Sequence, residues 1–344
     1  MLSIIVPVFN ELNYLKKFTT RLEEAYINEQ DVEYIYINDG STDGSKEWLQ
    51  KYIEEKENSE TINKYKILEI DKNKGKGFAV RKGIENSKGN YLLFHDSDLE
   101  LDPMDSKEMY EIIKKNKEME VLFGSRFSSG KLRSNKYFLN TLIVKINTFL
   151  FNILFQQSLT DLHCGMKIVS RRAIEKLNLK VNDFGFEIDI SSQIAKNNIK
   201  IYEYGVSYFA RTIDEGKKIT WFDGLLSYFY LFKLRYLDND ISILKSILYS
   251  SFYMAFIASY FSMGIGKIIL VIVLLILGSF IGLKYKLFPS SLIFLTIFVS
   301  SFFSKGNGKY LATFIGVVLG YLIANFVSKK INKITNNKII NFFV

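Results

Sequence analysis

Residues 91–103 read Tyr-Leu-Leu-Phe-His-Asp-Ser-Asp-Leu-Glu-Leu-Asp-Pro, an apolar run that ends in Asp96, Asp98 and Glu100. A short apolar run bounded by polar turn residues reads as a buried strand. Carboxylates at the carboxyl end of such a strand open into the crevice where α/β sheets bind ligands. In continued extended geometry Asp96 and Asp98 would share a face. Carboxylates gathered at one strand end repel each other unless a hard cation sits among them. Oxygen ligands suit Mg²⁺ or Mn²⁺, and such ions usually also hold substrate phosphates. The tract therefore points to metal-dependent chemistry on a phosphorylated substrate. Taken alone, Asp-x-Asp also fits a solvated acidic loop, and the surrounding elements bear on that choice.

Strand-like and helix-like segments alternate ahead of and behind this tract. Ser3–Val8, Glu33–Ile37, Lys66–Ile70, Tyr91–His95 and Glu120–Phe123 read as strands. Helical patterns run from about Leu12 to Ile27, then near 45–57, up to Ser87, and near 105–117. The turn-rich loop Asn38-Asp39-Gly40-Ser41-Thr42-Asp43-Gly44 follows the second strand, and Asn73-Lys74-Gly75-Lys76-Gly77 follows the third and opens a helix. Such βα alternation predicts a mostly parallel sheet covered by helices, with the post-strand loops gathered along one edge. Two further helices, at 137–157 and 220–237, mix aromatic and apolar residues with Lys, Arg and Asn. That mixture suits a helix lying in a membrane interface, and also a core-packed helix.

Of 344 residues carrying a net charge of +9, those up to about 240 are mixed in character. From about 244 the chain turns strongly apolar, in stretches at 246–264, 267–283, 287–303 and 310–327 whose interiors hold no Asp, Glu, Lys or Arg. Each is about the length that crosses a bilayer core, roughly 17–25 residues. Packed in a soluble core they would leave almost no polar face, so four transmembrane helices are expected. Lys233, Arg235 and Lys245 precede the first span, and Lys329, Lys330, Lys333 and Lys338 follow the last. Positive flanks favour the cytoplasmic side, so both the N-terminal domain and the tail are expected there, although Lys305 and Lys309 between the third and fourth spans weaken the bias. The first residues lack the basic region of a signal peptide. A single cysteine, Cys164, leaves no intrachain disulfide framework, and it and two histidines are too scattered for a zinc site. No nucleic-acid motif or basic clustering is evident, so nucleic acid is not an expected partner.

Over about residues 1–237 the ordered motifs resemble family 2 glycosyltransferases, and more closely their polyprenyl-phosphate group, which includes dolichyl-phosphate mannose synthase. The likeness rests on Val6-Pro7-Val8-Phe9-Asn10-Glu11, the Asn38–Gly44 and Asn73–Gly77 loops, Asp96-Ser97-Asp98-Leu99-Glu100 and Gly124-Ser125-Arg126. It continues in Asp161 with Cys164-Gly165-Met166-Lys167, and in Arg211 with Gly216-Lys217-Lys218-Ile219. The resemblance implies a nucleotide-sugar-binding domain of the glycosyltransferase A type, a divalent metal (Mg²⁺ or Mn²⁺) and inversion at the anomeric carbon. Under it Pro7, Glu11 and Asp39 line the nucleoside pocket, Lys76 meets the diphosphate, and Asp96 sits near the nucleotide. Asp98 holds the metal, with Asp96 and Glu100 as further candidate ligands; Glu100 stands where some relatives have Gln. Arg126, with Arg133 nearby, is placed by the acceptor phosphate, and Arg211, Lys217 and Lys218 form a basic loop by the diphosphate or anionic lipid. Apart from the resemblance, Glu11 also fits a first-turn acid complementing a helix dipole, Asp39 a turn residue, and Arg126 a surface salt bridge. Asp161, Glu187 and Asp189 receive no firm role, the last two being explicable by dipole stabilisation early in a helix.

The organisation implied is a cytoplasmic catalytic domain at 1–219, a juxtamembrane interfacial helix at 220–240, four transmembrane helices at 244–328 and a basic tail at 329–344. The expected partners are a nucleotide-sugar donor, a polyprenyl-phosphate acceptor and the membrane, with homo-oligomerisation left open. A phosphate monoester, whose second pKa is about 6, is already a nucleophile, which accords with the lack of an obvious His–carboxylate base. The donor, UDP- or GDP-linked, and its hexose stay open. The rival enzyme reading is a membrane glycosyltransferase acting on a sugar or glycolipid hydroxyl. It would need a base, for which Asp161 is the one candidate, and the Gln-x-x-Arg-Trp signature of processive synthases is missing around Trp48 and Trp221. A non-catalytic nucleotide-sugar-binding protein is the third reading.

Overall fold

A computed structural model describes residues 1–59, 62–128, 130–134, 137–212, 215–216 and 221–237. The four apolar stretches, the basic tail, Lys217 and Lys218 lie outside the described residues. In chain order the elements are β1 (Leu2–Val8), α1 (Leu12–Ala25), β2 (Val32–Asp39), α2 (Ser45–Glu57), β3 (Lys64–Ile70) and α3 (Lys76–Asn86). Then come β4 (Tyr91–Phe94), α4 (Pro103–Lys115), β5 (Val121–Ser125), β6 (Arg133–Ser134), α5 (Phe138–Phe155) and β7 (Lys167–Ser170). The series ends with α6 (Arg171–Ile174), α7 (Phe186–Lys196), β8 (Tyr202–Gly205), β9 (Tyr208–Phe209), α8 (Trp221–Phe232) and a π-helical turn at Lys233–Leu237.

The main sheet runs β3-β2-β1-β4-β7-β5-β8, and β6 pairs with β9 in a separate parallel ribbon. β1 and β2 read as near-continuous apolar runs because helices cover both faces of the sheet. Their alternate residues divide between two cores. Ile4, Val6 and Val8 pack with Leu15 and Phe18 of α1, Leu49 of α2 and Met109 of α4. Ile5, Ile35 and Ile37 face Ala79 and Val80 of α3, with Phe151 of α5 and Ile188 of α7 in the same cluster. Each fully buried Ile, Val, Leu, Phe or Met among them contributes about 1.5–3 kcal/mol.

The sheet is mostly parallel, with one departure. β7 inserts between β4 and β5 and runs antiparallel to both. Four residues long and starting with a lysine, it carries too little periodicity to read as a strand. The five strands expected from sequence are all present, with ends shifted by one or two residues.

Local chemistry sets the loop geometry. Asp43 accepts from Leu12 N at 3.0 Å and Ser45 N at 2.9 Å, and Asn10 Oδ1 accepts from Thr42 N at 2.8 Å, so the β2–α2 loop is tied to the start of α1. Asp102 caps α4 by accepting from Met104 N, with Pro103 at its first turn. α5 is the one helix among the described residues long and apolar enough to cross a membrane. Its Phe138, Leu142, Ile146, Phe149 and Ile153 fall on one exposed stripe, while Asn147, Thr148, Phe151 and Phe155 are buried.

Candidate active site

The loops after β1, β2, β3 and β4 and the segments around Arg126, His163 and Arg211 line one cavity of about 410 Å³. The gathering of post-strand loops expected from sequence is thus present. Pro7, Glu11 and Asp39 are among the residues that line it. Asp39, at the end of β2, accepts from Lys74 N at 2.9 Å and Gly75 N at 2.8 Å. Burial pushes its pKa up, and these two bonds partly offset that. Asp39 therefore clips the β3–α3 loop into place as well as facing the cavity. Gly75, at φ 95°, is needed there: a Cβ would stand 2.5 Å from Asn182 O.

Lys76 opens α3, as expected, but its ammonium is enclosed. It bridges Asp96 Oδ1 at 2.6 Å and Glu187 Oε1 at 2.6 Å. Burial alone would lower its pKa; the two carboxylates raise it well above the usual lysine range. Asp96 is held low by Lys76 against the opposing effect of burial. Glu187, to which the sequence assigned no firm role, is thereby a cavity residue, whereas Asp189 accepts from Lys180 N and Val181 N and orders the approach to α7.

Asp96 and Asp98 do not continue the strand onto a shared face. β4 ends at Phe94, and the chain enters a turn at Ser97 and Asp98, between the two carboxylates. Asp96 consequently meets Lys76, while Asp98 meets Arg211, with Nη2 to Oδ2 at 3.0 Å. Arg211 also reaches Glu11 at 2.9 Å and approaches Glu100 to 3.8 Å. Burial, then the neighbouring Asp96 and Glu100 charges, push Asp98 up to about 7 despite Arg211. Among the described residues no group of three or more His, Cys, Asp or Glu converges as a ready-made metal cage. Asp98 and Glu100 nevertheless fit an ion of the Mg²⁺ type. They are oxygen donors two residues apart that line the same cavity, and such ions take one or two carboxylates and complete their shell with water and substrate phosphates.

The 161–167 loop builds a further part of the cavity, with Gly165 against Asp96 and Lys76. Arg126 pairs with Asp161 in a fork, Nε–Oδ2 at 2.7 Å and Nη2–Oδ1 at 2.9 Å, and its backbone N–H donates to Oδ2 at 3.0 Å. Asp161, wholly buried, is held below the usual carboxylate range by Arg126 against the effect of burial. The Arg126 guanidinium also lies 5.1 Å from the Tyr208 ring centre. Arg133 donates to Arg126 O at 3.2 Å and stacks 4.4 Å over Phe127, and Lys145 of α5 lies 5.6 Å from the same ring. Lys145 had no sequence signal, since only the fold brings it beside Arg126 and Arg133.

Beneath the loop Lys167 is fully buried and donates to the carbonyls of Leu162 and Cys164. His163 and Asn147 face each other at 3.2 Å on the cavity wall. Burial lowers His163 to about 4, so it is neutral near pH 7. His95 is buried, with Nδ1 2.7 Å from Asp96 O and its ring against Phe18, a packing and hydrogen-bonding role.

This layout can hold a nucleotide against one wall, a cation-bound diphosphate at the centre and an anion near Arg126. The family described as "Glycosyl transferase family 2" matches residues 3–178, and the chain belongs to that family. Among curated proteins it is similar to the dolichyl-phosphate beta-glucosyltransferases of Dictyostelium discoideum, 28% identical over 60% of this chain, and Saccharomyces cerevisiae, 26% identical over 60%. It is also similar to the dodecaprenyl-phosphate galacturonate synthase of Rhizobium johnstonii, 28% identical over 52% of this chain. The matches span 66% of the two glucosyltransferases and 50% of the galacturonate synthase. Crystal structures of glucosyl-3-phosphoglycerate synthase from Mycobacterium tuberculosis share the fold. One has a TM-score of 0.52 at 14% identity, covering 68% of this chain and 80% of that one. Another, in complex with Mg²⁺ and UDP, has a TM-score of 0.51 at 14% identity, covering 68% and 79%.

Proposed function

We propose that the protein transfers a hexose from a UDP- or GDP-linked donor to a polyprenyl phosphate, with inversion and with Mg²⁺ or Mn²⁺, giving a polyprenyl-phosphate monosaccharide at the cytoplasmic face. Among hexoses, glucose has the support of the glucosyltransferase relatives. The observation that carries the reading is the single cavity joining Asp39, the Asp98–Glu100 carboxylates and Arg126. It offers places for a nucleoside, a diphosphate and an acceptor anion.

In this mechanism an acceptor phosphate oxygen attacks the anomeric carbon, and the bond from that carbon to the diphosphate breaks, its electron pair leaving with the nucleoside diphosphate. A phosphate monoester needs no proton removed, so the protein's work is orientation and charge placement. A cation held by Asp98 and Glu100 would neutralise charge on the departing diphosphate. Asp39, with Pro7 and Glu11, holds the base. Lys76, already shared by Asp96 and Glu187, fixes the floor between donor and acceptor. Arg126, oriented by Asp161, presents its cation to the acceptor phosphate, with Arg133 at its rim. Lys217 and Lys218 are proposed to join from the segment that follows Arg211.

The membrane arrangement belongs to the same proposal. α5 supports it: one side lines the cavity through Asn140, Thr141, Val144 and Asn147, and the other exposes Phe138 and Phe149. A helix so divided can lie in the interface and keep the cavity at headgroup level. The proposal is tested by transfer of donor label into lipid. A hydroxyl acceptor would instead place label in sugar or polymer.

A further inference from the structure

We propose that Arg211 is the resident counter-cation of the Glu11, Asp98 and Glu100 carboxylates, and that it makes entry of a divalent cation conditional on the nucleoside diphosphate. The inference rests on the donor-site reading above and adds a selection rule to it: free metal is refused, and a metal-bound diphosphate is accepted.

Arg211 follows β9 and is nine-tenths buried, its side chain 10% exposed. Nη1 donates to Glu11 Oε2 at 2.9 Å and Nη2 to Asp98 Oδ2 at 3.0 Å, while its backbone N–H donates to Glu100 Oε1 at 3.0 Å. Its guanidinium lies 5.0 Å from the Tyr14 ring centre. One planar cation thus fills the gap between acids from the start of α1 and from the loop after β4.

It fills that gap imperfectly. Arg211 Nε is buried without a hydrogen-bond partner, and Glu100 Oε1 stands 3.8 Å from it. Buried guanidinium N–H groups are normally satisfied, so a lasting structural ion pair would close this gap. A fork that leaves one donor unmet while holding Asp98, an acid the metal would need, is the geometry of a placeholder.

The electrostatic consequence is direct. A divalent ion arriving alone must share the acids with a guanidinium, and the two cations repel at contact distance in a largely buried site. A diphosphate changes the balance, because it offers the displaced guanidinium a bidentate anionic partner. Metal and nucleotide therefore raise each other's affinity through Arg211, and the linkage is reciprocal.

The test is Mn²⁺ binding to the full-length chain in detergent, read as loss of the free Mn²⁺ paramagnetic resonance signal, with and without UDP or GDP. The variants are Arg211→Met, Arg211→Gln as a second neutral replacement, and Arg211→Lys, which keeps the charge. Without nucleotide, the neutral variants should bind Mn²⁺ about tenfold more tightly than wild type, and the lysine variant should stay near wild type. The gain in Mn²⁺ affinity on adding nucleotide should shrink in the neutral variants by a similar factor. Neutral variants that bind Mn²⁺ no more tightly than wild type overturn the role of Arg211. If wild type then still binds Mn²⁺ with nucleotide, the donor-site reading survives that result. If no form binds Mn²⁺ with either nucleotide, both fall.

Discussion

Gly165→Ala tests how tightly the 161–167 loop is fitted to the site. A Cβ at Gly165 would stand 2.1 Å from Asp96 Oδ2 and 3.2 Å from Lys76 Nζ. Real Cβ atoms do not approach an oxygen so closely, so loop and carboxylate must part by about 1 Å, a misplacement that can cost about 10²-fold in rate. Asp96 has little freedom to yield, being held by Lys76 at 2.6 and 2.9 Å, with Lys76 held in turn by Glu187. Overpacking of this kind costs about 1–3 kcal/mol, or a fall in Tm of several degrees for a domain of this size. Turnover and thermal melting of the variant should be compared with Gly130→Ala, where nothing lies within 4 Å of an added Cβ and no change is expected. A Gly165→Ala protein with wild-type turnover and Tm would refute the claim that close backbone approach positions Asp96.

Asp161→Asn leaves the buried Arg126 charge without its fork partner, so a loss of about 3–5 kcal/mol is expected by denaturant titration, with turnover impaired as well; stability within 1 kcal/mol of wild type would count against the pair. Asp98→Ala should nearly abolish turnover while the fold, checked by circular dichroism, stays intact, because Arg211 keeps Glu11 as a partner. Arg126→Ala should weaken use of lipid phosphate more than donor binding, and the reverse pattern would contradict its placement by the acceptor. His163 carries a pH prediction. Burial holds its folded pKa at about 4 against an ordinary 6.5, so between these values the unfolded chain binds more protons. Stability should therefore fall as pH drops from about 6.5 to about 4, and the His163→Asn variant should lose less over that window in melting curves.

Much of the fold could be read from the residues. The runs at Leu2–Val8 and 34–37 are largely apolar because both faces of the sheet are covered, and the loops after them announce themselves through Gly, Asn and Asp. β7 escaped because four residues with a buried Lys167 show neither alternation nor a long apolar run. In the site, residue types were more legible than their partners. Asp96, Asp98, Glu100, Lys76, Arg126 and Arg211 were identifiable singly. The pairings are set by chain turns instead: the turn at Ser97 and Asp98 sends Asp96 to Lys76 and Asp98 to Arg211, and the 161–167 loop delivers Asp161 to Arg126. Glu187 looked like an ordinary first-turn acid because its partner, Lys76, is more than a hundred residues away in sequence.

The measurement closest to the central claim is a transfer assay on the purified full-length chain in detergent. It would receive Mg²⁺ or Mn²⁺, short polyprenyl phosphate and labelled UDP- and GDP-sugars, starting with UDP-glucose. Label passing into the organic phase with one donor, and only with metal present, is the predicted result. Label confined to water-soluble or polymeric material would contradict the account and point to a hydroxyl acceptor.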